Sequence, residues 1–208
     1  MSILALTSDT LSSPAAAGQI EYTSPIFAAT PIGTQRGIVP TQQYYRLNAD
    51  LAGANVTTAQ SIFGVGVTLS SSTVYEFEIV GVLTKTAGTT AHTIGFGFGG
   101  TSTINNVLTE IRTWASSTAS TPSNNANIYE GYATSVSSIA STPSFSSATI
   151  FSTFVIKGTV SVNAGGTFIP QYTLSAAPGG AYSTAAGSYI RINPLSASGA
   201  ATNVGTWA

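Results

Sequence analysis

From about residue 41 onward, apolar positions alternate with polar ones at every second residue, the period of a half-buried β-strand. Thr73 to Leu83 is the clearest stretch. Tyr75, Phe77, Ile79 and Leu83 fall on one face, and Glu76 and Glu78 on the other. Thr93 to Phe98 alternates again, with Ile94, Phe96 and Phe98 set against Thr93, Gly95 and Gly97. Glycine at the outward positions predicts close approach of another backbone. Ile104 to Trp114 fits two templates. Ile104, Val107, Leu108 and Ile111 have helical spacing, whereas Val107, Thr109, Ile111 and Thr113 alternate. The β-branched content favours a strand, entered from a turn at Asn105–Asn106. Thr57 to Phe63 is the other place where a short helix could form. Thr149 to Val162 reads as one long strand or two, with Gly158 as a bulge position. Asn163 to Gly166 reads as a hairpin turn. Phe168, Pro170, Tyr172 and Leu174 make one apolar face, Ala176 to Gly180 a loop, and Ser188 to Asn193 a last core strand. Strands separated by Gly, Pro and Asn turns, without long helical segments, predict an all-β, jelly-roll-like antiparallel β-sandwich over residues 41–208.

Residues 1–40 break this pattern. Pro14, Pro25, Pro31 and Pro40 punctuate them, and proline removes a donor and pushes its predecessor towards extended geometry. A helix or a central strand is therefore not expected here. Yet Ile20, Tyr22, Ile26, Phe27, Ile32, Ile38 and Val39 are too apolar for a solvated tail. The expectation is an extended N-terminal arm laid on another surface, in its own chain or a neighbour's, with these seven residues as candidate contacts. Residues 115–147 are rich in Ser, Thr, Asn and Ala. The string Ala-Ser-Thr-Pro-Ser occurs at Ala119–Ser123 and Ala140–Ser144, which reads as composition rather than a repeat architecture. Tyr129, Tyr132, Val136 and Ile139 predict at least one strand inside this region.

Composition narrows the partners. Six Lys or Arg and seven Asp or Glu leave a net charge of −1, and only 6% of residues are charged. Ser (28) and Thr (31) supply the polar surface instead. Six scattered basic residues cannot neutralise a phosphate backbone, so nucleic acid is not an expected partner. No polybasic run and no stretch of roughly 18 apolar residues point to a membrane. The opening Met1 to Leu6 lacks a basic flank and is too short in its apolar run for a secretion signal. Cysteine is absent, which excludes disulfides, thiolate zinc sites and Cys nucleophiles. A hydrophobic content of 43% is ample for a core.

Candidate chemistry is sparse. His92 is the single histidine, so a multi-His metal site is excluded and any triad would have to use this residue. Its setting, a loop entering a strand, reads as a structural or exposed histidine. Gly95-x-Gly97-x-x-Gly100 matches a dinucleotide fingerprint formally, but it lies inside a strand pattern with no following helix. Glu76 and Glu78 share a face. With no His or third carboxylate near in sequence, they read as a solvent-facing strand side rather than paired acids or a metal site. Nothing in sequence marks Lys85 or Lys157 as activated. Asn55-Val56-Thr57 is a glycosylation sequon, relevant only in a secretory pathway. Tyr22, Tyr44 and Tyr45 could present a carbohydrate or protein contact, while most tyrosines are expected at core edges. No catalytic residue, metal or cofactor is expected.

Several strings together resemble a family of tailed-bacteriophage virion proteins. They are Leu6-Thr7-Ser8, Pro14-Ala15-Ala16-Ala17-Gly18-Gln19-Ile20-Glu21-Tyr22, Ala29-Thr30-Pro31 and Arg36-Gly37-Ile38-Val39-Pro40. Leu47-Asn48-Ala49-Asp50 through Phe63-Gly64-Val65-Gly66-Val67 and Lys85 through Ile94 add to the likeness, as do Thr167 through Tyr172 and Ala176 through Gly180. The resemblance covers most of the chain outside 115–147 and includes no catalytic signature. It implies a jelly-roll-like domain on the exterior of the virion, made in the bacterial host cytoplasm and assembled as a homotrimer. A chain starting at Met1 with no shaft repeats favours a capsid decoration (cement) protein. Its expected partners are copies of itself and the major capsid protein, with residues 1–40 as the binding or exchanged arm. The alternative is a tail-fibre or head-fibre tip that binds a host surface receptor.

Overall fold

The computed structural model describes residues 6–116, 127–134, 136–137 and 140–199, and these contain strands and no helix. Three short strands come first: β1 (Ile20–Thr23), β2 (Ile26–Ile32) and β3 (Gln35–Val39). Then follow β4 (Gln43–Arg46), β5 (Leu51–Ala52), β6 (Gln60–Ser61), β7 (Val67–Leu69) and the long β8 (Thr73–Lys85). The rest are β9 (Ile94–Gly99), β10 (Thr103–Ser116), β11 (Asn127–Ala133), β12 (Ala140–Ser141), β13 (Ile150–Ala164), β14 (Gly166–Leu174), β15 (Ser183–Thr184) and β16 (Tyr189–Ala197).

From β4 onward the chain forms the expected antiparallel sandwich. One large sheet runs β11–β10–β13–β8, and beyond β8 come β16 with its outer neighbour β4, and β15 with β5. The facing sheet is β12–β9–β14–β6, with β7 also on β14. Side chains at alternate positions of β8, β10 and β13 point inward and meet those of β9 and β14. Phe98 stacks on Phe168 at 4.4 Å, and Phe77 packs edge-on against Phe98 at 5.3 Å. Each such ring contributes about 1.5–3 kcal/mol by leaving water. Polar atoms on the inward face are satisfied locally: Thr113 Oγ1 donates to the Thr153 carbonyl and Thr109 Oγ1 to that of Ala133. The chain passes repeatedly from one sheet to the other, as in a jelly roll.

Several local expectations need correction. Asn163 to Gly166 is no hairpin. β13 pairs with β8 and β10, whereas β14 pairs with β6, β7 and β9, so this corner carries the chain between sheets. Its glycines serve close packing, since a Cβ on Gly165 would lie 2.9 Å from the Leu69 carbonyl oxygen. Gly158 marks no bulge: β13 keeps unbroken register there, and a side chain would collide with the Leu108 carbonyl. The irregularity sits instead in β10, where Asn105 is skipped between Ile104 and Asn106. β10 is a strand, and Thr57 to Phe63 forms no helix but carries β6. The outward glycines of β9 do admit a second backbone, because a Cβ on Gly97 would lie 3.1 Å from the carbonyl oxygens of Val136 and Ser137. In 115–147, β11 and β12 are present. Ile139 and the side chains of Tyr129 and Tyr132 lie outside the described residues.

Residues 20–39 differ most from a simple extended arm. They form a separate three-stranded antiparallel meander, β1–β2–β3, with β2 in the centre. Proline is compatible with this central strand because the β2–β3 register shifts between Ala29 and Ile32. Pro31, which has no donor to give, falls at that irregularity. Pro25 lies in the two-residue link between β1 and β2, after a cis peptide bond, and Gly33 adopts a φ of 55° in the link to β3.

Candidate functional site

The meander has two unlike faces. Register puts Glu21, Ala28 and Ile38 on one side, with Ile26 and Thr23, and this side is covered by the chain's own N-terminal segment. Arg36 clamps that segment: its Nε donates to Glu21 Oε2 at 2.8 Å, and one terminal nitrogen donates to the Ser12 carbonyl at 2.6 Å. Ser12 N–H donates to the other Glu21 oxygen at 2.7 Å. The Ser12 backbone and hydroxyl, then Arg36, hold the Glu21 carboxyl below the usual range. Asp9 N–H donates to the Tyr22 carbonyl, tying the segment to the free edge of β1.

The opposite face carries two cross-strand rows, Ile20–Ala29–Gly37 and Tyr22–Phe27–Val39. Tyr22 and Phe27 stack at 4.5 Å. Ile20 is 67% exposed and Val39 40%. The seven candidate contacts therefore divide. Ile20, Tyr22, Phe27 and Val39 share the open face, Ile26 and Ile38 lie on the covered one, and Ile32 stands exposed at the β2–β3 turn. Arg36 and Glu21, which fix the covered side, were not legible as a pair. The usable signal was a lone Arg and a lone Glu in a segment otherwise nearly free of charge.

Charge is concentrated on the outer face of the large sheet. Register aligns Glu110, Lys157, Glu78 and Arg191 in one row across β10, β13, β8 and β16, ending on Tyr44 of β4. Signs alternate along it. Glu78 is the hub: Lys157 Nζ lies 3.2 Å from one oxygen, and Arg191 Nε (3.1 Å) and the Tyr189 hydroxyl (2.9 Å) meet the other. Partial burial raises the Glu78 pKa, but the hydrogen bonds from Tyr189, Lys157 and Arg191 outweigh it and leave the carboxyl below its ordinary value. The pair Glu76 and Glu78 is thus a strand face, with Glu78 already engaged by three partners.

Two further features use residues named from sequence. Tyr44 and Tyr45, both exposed, border a mainly apolar slot of about 210 Å³ with Phe63, Val65, Val67 and Ile190, between β4 and the facing sheet. Lys85 and His92 are both buried. Lys85 follows the inward parity of Tyr75, Phe77, Ile79 and Leu83, a signal present in the sequence and easily passed over. Its Nζ donates to the carbonyls of Gly88 and Ser147 at 2.7 Å, Ala87 at 3.1 Å and Ala148 at 3.2 Å, and burial pushes its pKa down. His92 Nδ1 donates to the Thr90 carbonyl oxygen at 2.7 Å, and Nε2 meets the Tyr182 hydroxyl at 2.7 Å. Burial, with Tyr172 adding to it, raises the Tyr182 phenol, and burial pushes Tyr172 up to about 12. Sealed from solvent, this network fastens loops together and offers no substrate a path to His92.

Among the described residues, no three His, Cys, Asp or Glu side chains gather in a way that could hold a metal ion. Among the same residues, no helix is long and apolar enough to cross a membrane. Compared with protein-family models, curated proteins and solved structures, the chain matches none.

Proposed function

We propose that this chain is a non-enzymatic structural subunit on the exterior of a phage head, a decoration protein that docks through its N-terminal meander. The observation that carries the reading is the open face built by Ile20, Tyr22, Phe27 and Val39 around the small residues Ala29 and Gly37. A sheet face of this kind gains at most about 1.5–3 kcal/mol for each exposed large side chain that a partner covers, and less for Tyr22 and Phe27, which are already half-buried. Small residues in the other row let a neighbouring backbone come close. The covered face, stapled by Arg36 and Glu21, keeps the meander rigid, so little ordering entropy opposes docking. The resemblance of the quoted strings to virion proteins supports the setting, and the chain's low charge supports life among packed neighbours, because buried ions need partners. Three copies around a threefold axis, each presenting this face to the major capsid protein or to the next copy, is the arrangement proposed.

The test is a double variant, Ile20→Asp with Val39→Asp, mixed with purified heads lacking the protein. Loss of head binding with retained β-sheet circular dichroism is expected, and undiminished binding refutes the docking role. Label on the tail tip of intact virions, rather than on the head, would replace this reading with the receptor-binding fibre tip.

A further inference from the structure

The outer face of the large sheet has a depression that its own side chains leave open. One hollow of about 480 Å³ is bounded by Glu76, Glu78, Lys157, Arg191 and Asn193, with Pro40 and Gln42 of the link between β3 and β4 at its rim. A second of about 410 Å³ is bounded by Glu110, Arg112, Trp114, Val155 and Lys157. Lys157 lines both, so the two hollows meet at its side chain and follow one oblique line, a trough over β16, β8, β13 and β10. Asn193 lies opposite Glu76, while Trp114 lies opposite Thr153, which in turn faces Val82. Three strand spacings across and six residues along the strands separate the ends by roughly 24 Å.

The lining selects among ligand classes. Among the described side chains its charges balance: Glu76, Glu78 and Glu110 against Lys157, Arg191 and Arg112. Lys157 and Arg191 already rest on Glu78, and Arg112 Nε on Glu110 at 3.1 Å. Such a surface has no net field to attract a phosphate or sulfate polymer. β10, β13 and β8 are paired on both edges, so an extended peptide finds no main chain to pair with. What remains is a dense set of planar donors and acceptors, with an aromatic face at one end. Trp114 is 37% exposed at one end. Tyr44, stacked on Tyr189 at 5.6 Å, flanks Arg191 outside the lining. Rings that bear hydroxyls at their rims and C–H groups on their faces match both features at once.

We propose that this trough binds a neutral, hydroxyl-rich polysaccharide. Trp114 packs against one ring face, and Arg191, Glu78 and Lys157 exchange hydrogen bonds with hydroxyls further along the chain. The proposal goes beyond the structural role above and does not rest on it, since the trough and the meander use different strands.

The test is frontal affinity chromatography of the whole protein on immobilised oligosaccharides from glucan, mannan, galactan and chitin, with heparin as the polyanion probe. Retention by at least one neutral column is expected, nearly constant between about 50 and 500 mM NaCl. Trp114→Ala and Arg191→Ala are each expected to weaken it by about tenfold or more, and Trp114→Phe to restore part of the loss. Far-UV circular dichroism confirms that these exposed substitutions leave the sandwich folded. The proposal is overturned if no neutral column retains the protein, if only heparin does and salt abolishes it, or if Trp114→Ala binds like the parent.

Discussion

Lys85→Met keeps the aliphatic stem in place and removes the ammonium. Four carbonyl oxygens, those of Ala87, Gly88, Ser147 and Ala148, then lose their donor. Hydrogen bonds to a charged group contribute about 1.5–3 kcal/mol each, roughly 6–12 kcal/mol gross for four. Desolvating the ammonium offsets several kcal/mol of this, which is the direction recorded by its lowered pKa. Ala87 and Ser147 are exposed, so water can rehydrate their carbonyls, whereas Gly88 and Ala148 are half-buried. The net loss expected is about 2–4 kcal/mol. For a chain of this size, each kcal/mol moves Tm by roughly 2–4 °C, so a drop of about 4–16 °C should appear in scanning calorimetry. Urea titration followed by circular dichroism gives the same quantity independently. A change within about 0.5 kcal/mol, the range of an ordinary surface substitution, would show that the carbonyl cage holds nothing together.

Other consequences can be measured directly. Tyr172 and Tyr182 ionise later in the folded chain than an exposed tyrosine, which ionises near pH about 10, so the folded state holds protons that the unfolded state has released. Their contribution to stability is complete below pH about 10 and declines as pH rises towards the folded values. Phenolate absorbance should show two tyrosines that stay protonated until unfolding, and nine tyrosines titrating alike in the native protein would contradict the burial argument. Gly158→Ala places a methyl group against the Leu108 carbonyl and 3.0 Å from the Thr109 Cα, in a strand held on both sides. A loss of about 2–4 kcal/mol in urea midpoint analysis is expected, and an unchanged midpoint would mean that β10 and β13 can part at no cost.

The strands with one buried face were readable from alternation alone. Thr73 to Leu83 and Phe168 to Leu174 obey the parity that burial imposes, because a one-residue slip would invert every side chain. What parity cannot supply is the neighbour. Glu78, Lys157 and Arg191 are far apart in the chain and meet only once β13 and β16 pair with β8. The corner at Asn163–Gly166 failed for a related reason. Glycines that turn a hairpin and glycines that let two sheets touch look alike in sequence, and only the pairing partners of the flanking strands tell them apart. Across residues 1–40, four prolines argue against pairing, yet Pro31 stands where the ladder is already broken and Pro25 in a turn. The open face of Ile20, Tyr22, Phe27 and Val39 was therefore named residue by residue without its geometry. Lys85 is the reverse case: its parity in β8 announces burial while its charge argues for solvent, and the four carbonyls that reconcile the two come from segments distant in sequence or from the following loop.

β16 lies between β4 and the first half of β8, and β8 precedes it by about a hundred residues of chain. During synthesis at about 5–20 residues per second, the edge of β8 waits roughly 5–20 s for that strand to emerge. Tyr75, Phe77 and Ile79 stay unsupported on that side throughout the wait. A nascent chain stalled before Tyr189 would present a bare sheet edge to its neighbours on the same polysome. Premature termination in this stretch would therefore yield aggregates rather than a smaller folded protein.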